Sequence, residues 1–205
     1  MSIKLTKIEV GPWPMNSYVV TCSDTQVSAI VDPGDDADKI LQICTGTKVS
    51  VILLTHGHYD HVQALDEVKK RSGAKVYLHP LEAKKFNIEF DLPLADGDII
   101  SIGNQSLHAI HTPGHTPGMT CFHLGDRKIL VGDTIFVNGP GKTWSPEEFN
   151  TTIRTMKEVV FQWSDDTEFF PGHGPSGIIG IERSKFEAFL EDGWSEDLYG
   201  DVTWV

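Results

Sequence analysis

Short apolar and β-branched runs over residues 3–10, 17–22 and 27–32 read as strands. Turn chemistry separates them at Gly11-Pro12-Trp13-Pro14 and Asp32-Pro33-Gly34. A helix is expected over 36–45, then a buried strand at 50–54, where Val51-Ile52-Leu53-Leu54 is apolar without a break. Val62, Leu65 and Val68 then recur at helical spacing, and Gly73 supplies a stop, so a helix is predicted over 60–72. A strand at 75–79 follows, with a short helix at 80–86 opened by Pro80. After the turn Asp96-Gly97-Asp98 come four more strands, at 98–102, 106–111, 119–124 and 128–132. Ser145-Pro146-Glu147-Glu148 has the form of a capping box and predicts a helix to about Phe161. A strand at 167–170 and a helix over 179–191 close the pattern.

The order is strands, helix, strand, helix, and then the same again. Two similar halves predict an α/β (α+β) fold with two sheets packed face to face and helices outside, more than a strictly alternating doubly wound sheet. No Ser- or Pro-rich linker and no repeat interrupts the 205 residues, so one domain over 1–205 is expected. The acidic tail 192–205 carries Trp194, Tyr199 and Trp204. Such a terminal segment reads as a docking element, either a lid on its own domain or a homodimer contact.

The formal charge is 17 − 29 = −12. That argues against a nucleic-acid groove, which draws on Lys and Arg to neutralise phosphates, and against an anionic membrane surface. Cys22, Cys44 and Cys121 are scattered and form no Cys-x-x-Cys pair, which reads as a reduced chain. With no signal-peptide core after Met1 and no apolar run of membrane-spanning length, the cytoplasm is the expected compartment.

The densest chemistry lies at Thr55-His56-Gly57-His58-Tyr59-Asp60-His61, between the strand at 50–54 and the helix after it. Three imidazoles and a carboxylate in six positions exceed what packing of one loop requires. Asp60 falls in the helix's first turn, where a carboxylate suits the unpaired amides. Three more strand ends share the design: His115 in Thr112-Pro113-Gly114-His115, Asp133 in Val131-Gly132-Asp133-Thr134, and His173 in Pro171-Gly172-His173-Gly174. Four strand ends on one sheet edge are expected to converge. Five His and two Asp would serve two metals about 3.5–4 Å apart, with three ligands each and one bridging carboxylate. Imidazole with a little carboxylate suits zinc or iron better than magnesium.

This pattern, His-x-His-x-Asp-His followed by His115, Asp133 and His173, resembles the metallo-β-lactamase superfamily over nearly the whole chain. The resemblance implies a four-layer αββα sandwich with the site at one edge. It places His56, His58 and His115 on one metal, Asp60, His61 and His173 on the other, and Asp133 between them. Thr-Pro-Gly-His-Thr-Pro-Gly at 112–118 and Val-Gly-Asp-Thr-Ile-Phe at 131–136 resemble the glyoxalase II branch, whose members hydrolyse S-acyl glutathione thioesters. On that likeness two divalent ions are expected, zinc first, with iron or manganese compatible. The partner is a small thioester attacked by a metal-bridging hydroxide, with Asp60 and Asp133 as catalytic carboxylates.

Gly139-Pro140-Gly141-Lys142 departs from that branch's usual Gly-Cys-Gly-Arg/Lys, and the larger members' C-terminal helical domain has no counterpart in the sequence, so the resemblance implies hydrolysis of an S-acyl glutathione or a related thiol ester without fixing which. Lys142 reads equally as a contact for a substrate carboxylate and as a solvated lysine. Trp144 stands where members carry an aromatic, and Tyr59 is a third candidate for lining the pocket. Other readings of the motif are a lactone or ester hydrolase on the same metals, and a mononuclear iron persulfide dioxygenase using His56, His115 and Asp133 alone. His79, His108, His111 and His123 match no ligand position, and Thr55 and Thr112 read as bracing their loops.

Overall fold

A computed structural model describes residues 3–204. The first half forms a six-stranded sheet from β1 (Ile3–Val10), β2 (Met15–Cys22), β3 (Val27–Val31), β4 (Lys48–Leu53), β5 (Lys75–Leu78) and β6 (Leu92–Pro93), in that order. Its first three strands are antiparallel and the last four run parallel. The parallel steps are bridged by helices α1 (Ala37–Ile43), α2 (Tyr59–Val62) with α3 (Leu65–Ser72), and α4 (Pro80–Phe86). The second half gives β7 (Ile99–Ile102), β8 (Gln105–His111), β9 (Thr120–His123), β10 (Lys128–Gly132), β13 (Glu168–Pro171) and β14 (Gly177–Ile178). These form a sheet in the order β14-β13-β10-β9-β8-β7. Between β10 and β13 come a small hairpin, β11 (Ile135–Phe136) with β12 (Gly139–Pro140), and helix α5 (Pro146–Glu158). Helix α6 (Ile179–Asp192) follows β14.

Three apolar layers hold these elements in the αββα arrangement. Successive residues of a strand point to opposite faces, and the central strands here are apolar on both. In β2, Val20 joins the layer between the sheets, while Val19 faces the layer under α1 and α3 with Ile40 and Val68. In β10, Leu130 points inward to the inter-sheet layer. Ile129 and Val131 point outward to Phe149, Ile153 and Met156 of α5 and Phe186 of α6. Strands buried on both faces read as continuous hydrophobic runs, which is why β4 and β10 are so plain in the sequence. Among the described residues no helix is long and apolar enough to cross a membrane.

Three expectations are corrected. The helix predicted over 60–72 is two helices: Ala64 donates its N–H to Pro33 O (3.0 Å) instead of back along the helix. The cause is the Asp32-Pro33-Gly34 turn pressed against α2, so close that a Cβ on Gly34 would lie 2.0 Å from the Asp60 carbonyl oxygen. The strand ends do not lie on one sheet edge. The 55–61 loop leaves β4 of the first sheet, whereas His115, Asp133 and His173 follow β8, β10 and β13 of the second. The capping box at α5 is half formed: Ser145 Oγ accepts from Glu148 N (3.2 Å), but the Glu148 carboxylate takes the Trp144 N–H (2.8 Å). The two-residue strands β6, β11, β12 and β14 are too short for any periodicity to announce.

Candidate metal centre

The two sheets meet so that the β4 loop from one faces three loops from the other. The seven nominated side chains converge there in two trios whose ligand atoms lie within 4.8 Å of one another, His56/His58/His115 and Asp60/His61/His173. Asp133 reaches both trios. Its Oδ1 is 3.4 Å from His61 Nε2, and its Oδ2 is 3.6 Å from His115 Nε2 and 3.8 Å from His173 Nε2. Gly172 makes this approach possible, since a Cβ there would sit 2.3 Å from Asp133 Oδ1 and 2.5 Å from His61 Cε1.

Hydrogen bonds outside the cluster set the tautomer of four imidazoles. His115 Nδ1–H donates to the Lys142 carbonyl (2.7 Å) and His173 Nδ1–H to the Pro14 carbonyl (3.1 Å). His61 Nδ1–H donates to Asp32 Oδ2 (3.0 Å). Thr55 Oγ1 spends its proton on Asp32 Oδ2 (2.6 Å), so at 3.0 Å it receives the His56 Nδ1–H. Each of these rings thus turns Nε2 inward, as a bare lone pair on neutral His56 and His115 and as the nitrogen that must shed a proton on His61 and His173. Imidazole binds a metal through such a free nitrogen. His56 Nε2 and His115 Nε2 then both face His58 Nδ1, at 3.0 and 2.9 Å. His58 has at most one proton there for two acceptors.

A metal fits this cluster. His61 Nε2 and Asp133 Oδ1 are buried, face each other at 3.4 Å and make no well-formed hydrogen bond among the described residues, an arrangement that a cation between them would satisfy. Asp32 also lies within ligand distance of His56 and His61. Its two oxygens, however, already accept from Thr55 N, Thr55 Oγ1 and His61 Nδ1, so it orients the ligands.

Electrostatics separate the trios. Burial, aided by the neighbouring imidazoles, holds His56 and His115 below the usual histidine range and brings His58 down to about 4. Burial also opposes charge on His61 and His173. There it is outweighed, by Asp133 and Asp32 at His61 and chiefly by Asp60 at His173, and both are raised. Asp133 is the converse: burial resists its ionisation, but His61, then His56 and His115, hold it well below the usual carboxylate range.

The trios open onto a cavity of about 670 Å³ lined also by Tyr59, Phe136, Pro140, Lys142 and Trp144. The Trp144 ring lies 5.2 Å from that of His58 and 5.3 Å from that of His115. Tyr59 is largely exposed at the rim. Lys142 pairs with Asp201 (3.3 Å) and contributes its carbonyl to His115. The tail docks on its own domain, with Trp204 buried against Phe161 and Phe186. The four histidines without a ligand position stay out of both trios: His79 caps α4 and stacks on His111 at 4.7 Å, and His108 lies beside His123.

Sequence reasoning missed two buried carboxylates. The sequence marks Asp32 only as part of a turn, although it follows a buried strand just as Asp133 does. It sits at φ 50, in the left-handed region that Asp tolerates better than most residues. Glu82 on α4 receives Gly57 N (2.9 Å) and Gly118 N (2.6 Å), joining the loops that carry His58 and His115. Nothing local in the sequence marks it.

Comparison with known proteins agrees with this geometry. The profile of the metallo-beta-lactamase superfamily matches residues 10–175. The hydroxyacylglutathione hydrolase GloC of Haemophilus influenzae is 30% identical over 196 residues, covering 83% of this chain and 92% of the relative. Among solved structures, TTHA1623 in a di-iron-bound form superposes with a TM-score of 0.74 at 28% identity, over 87% of this chain and 96% of that one. The BLEG-1 B3 metallo-beta-lactamase does so with a TM-score of 0.77 at 26% identity, over 88% and 97%. This chain belongs to the metallo-β-lactamase superfamily, most of whose members are metal-dependent hydrolases, and its likeness to GloC supports the glyoxalase II-like branch.

Proposed function

We propose that the protein is a dinuclear metal-dependent thioester hydrolase of glyoxalase II type, acting in the cytoplasm on a small thioester. The observation that carries this reading is the pair of facing trios with Asp133 reaching both, two of whose ligand atoms are buried without a partner. His56, His58 and His115 would hold one ion and Asp60, His61 and His173 the other, with Asp133 shared. Zinc is proposed first, and the same nitrogen and oxygen donors accept iron or manganese. Bound there, the ions supply Lewis acidity and bring the pKa of a coordinated water from 15.7 to about 7.

The chain's own groups do the positioning. Asp32 engages Nδ1 of His61 and, through Thr55, of His56, which turns the Nε2 of each ring toward the ions. Trp144 covers the edges of His58 and His115 and limits water at that side of the cavity. Asp60, held ionised chiefly by its bond to His173, keeps a carboxylate oxygen facing the cavity. A thiol of pKa about 8.5 leaves as thiolate without a general acid, which suits a cavity in which Asp60 and Asp133 are both held below the usual carboxylate range.

A mononuclear iron oxygenase would need only His56, His115 and Asp133. The complete second trio with its own orienting bonds favours hydrolysis. Assays of the metal-loaded protein on S-lactoylglutathione, on S-lactoyl-N-acetylcysteamine and on glutathione persulfide test this: turnover of a thioester without oxygen uptake is expected, and oxygen uptake on the persulfide would overturn it.

A further inference from the structure

Asp201, Val202 and Thr203 line the same cavity as the two trios. This stretch is pinned at both ends. Thr143 N donates to the Gly200 carbonyl (3.2 Å), and Gly200 N donates to Thr143 Oγ1 (3.3 Å). At the far end Trp204 N donates to the Asn138 carbonyl (3.0 Å), and its indole N–H to Glu182 Oε2 (3.1 Å). Glu182 is itself buried and also accepts Asn138 N (2.8 Å), so it ties the tail to the cavity's β11–β12 hairpin. Asp201 thus stands on a backbone fixed at both ends, although its own side chain is 78% exposed. Its Oδ2 lies 3.3 Å from Lys142 Nζ at the solvent-exposed edge of the cavity.

Lys142 is the only Lys or Arg among the described residues lining that cavity. The other acids lining it, Asp60 and Asp133, belong to the proposed ligand set, and much of the remaining wall is apolar: Phe136, Val137, Pro140 and Trp144. Away from the proposed ions and their ligands, a carboxylate on the substrate has one lysine to pair with here, and Asp201 already pairs with it. Such a substrate must displace Asp201 and then sit beside its like charge, on a molecule of net charge −12.

We infer that Asp201 is a specificity-determining residue that, by neutralising Lys142, directs the site toward thioesters whose thiol part carries no carboxylate, and away from glutathione with its two. The inference rests on the thioesterase reading for the reaction, but its test does not depend on turnover.

Calorimetric titration of the metal-loaded protein with two thioethers that cannot be hydrolysed, S-hexylglutathione and the uncharged S-hexyl-N-acetylcysteamine, reads the preference directly. The wild-type protein should bind the uncharged thioether more tightly. Asp201→Asn, nearly isosteric, should tighten S-hexylglutathione about fivefold, the upper end for an exposed ion pair, and leave the uncharged ligand's affinity where it was. In a Lys142→Ala background the same substitution should gain about twofold or less. The inference is overturned if Asp201→Asn leaves S-hexylglutathione binding unchanged, or weakens it because Asp201 receives the γ-glutamyl ammonium. Failure of both thioethers to bind overturns it as well. Failure of the hydrolase reading appears separately, as absent turnover of S-acyl substrates.

Discussion

The two trios share one cavity and one carboxylate, yet they are built from different chemistry. His56, His58 and His115 are all imidazole, and burial keeps them neutral. They can take a cation with almost no proton to displace. Asp60, His61 and His173 lie among carboxylates, which draw protons onto both histidines. An ion entering there must first remove those protons. On the proposed assignment, similar ligand counts would thus give one half-site ready for metal near neutrality and one whose occupancy would follow pH.

The largest effect should come from removing the group the halves share. Asp133→Ala is expected to lower kcat/KM on the order of 10³-fold, since several kcal/mol of charge stabilisation depend on the ions it spans, and metal analysis should find fewer ions per chain. Full turnover with two ions retained would refute the shared role. Next is Asp32→Ala, which frees His61 and Thr55 together. Loss of an orienting partner of this kind typically costs about 10–100-fold in metal affinity. Here competition with a chelator should show both half-sites weakened, and a loss confined to one would break the proposed link through Thr55.

Acid should separate the halves without mutation. A histidine whose pKa is raised binds its proton more tightly, so metal affinity at that ligand falls as pH drops, by about tenfold per pH unit for each proton displaced. His61 and His173 are raised and the other three histidines lowered. Lowering the pH from 7 to 5 should therefore empty the Asp60/His61/His173 half first, passing through a one-ion state. Simultaneous loss of both ions would erase the distinction. The smallest effect is expected from Glu82→Gln. One of the Gly57 and Gly118 N–H groups then meets an amide –NH₂ instead of an oxygen. Urea unfolding should register about 1 kcal/mol, with the disturbance felt at the His58 and His115 loops and little at His61.

The same contrast explains what the sequence disclosed. Six-residue density at 56–61 and strand-end glycines at 114, 132 and 172 are local signals, and the residues they nominate do come together. The layered fold was legible because β4 and β10 bury both faces and so carry unbroken apolar runs. Asp32 was not, because its purpose depends on His61, 29 positions away, and on a strand crossing that no periodicity encodes. The break at Ala64 was hidden for the same reason, since its cause is the turn at 32–34 packed against α2. The tail's aromatics pointed to docking, but only the fold places Trp204 on α6 and the β11–β12 hairpin and brings Asp201 to Lys142.

The central claim is that two unequal half-sites act together in hydrolysis. Chelator-stripped protein titrated with zinc, with bound metal per chain and turnover of S-lactoyl-N-acetylcysteamine read at each step, addresses it most directly. Two equivalents should bind in sequence, with turnover rising as the second is taken up. Saturation at one ion, or turnover already complete with the first, would contradict the account.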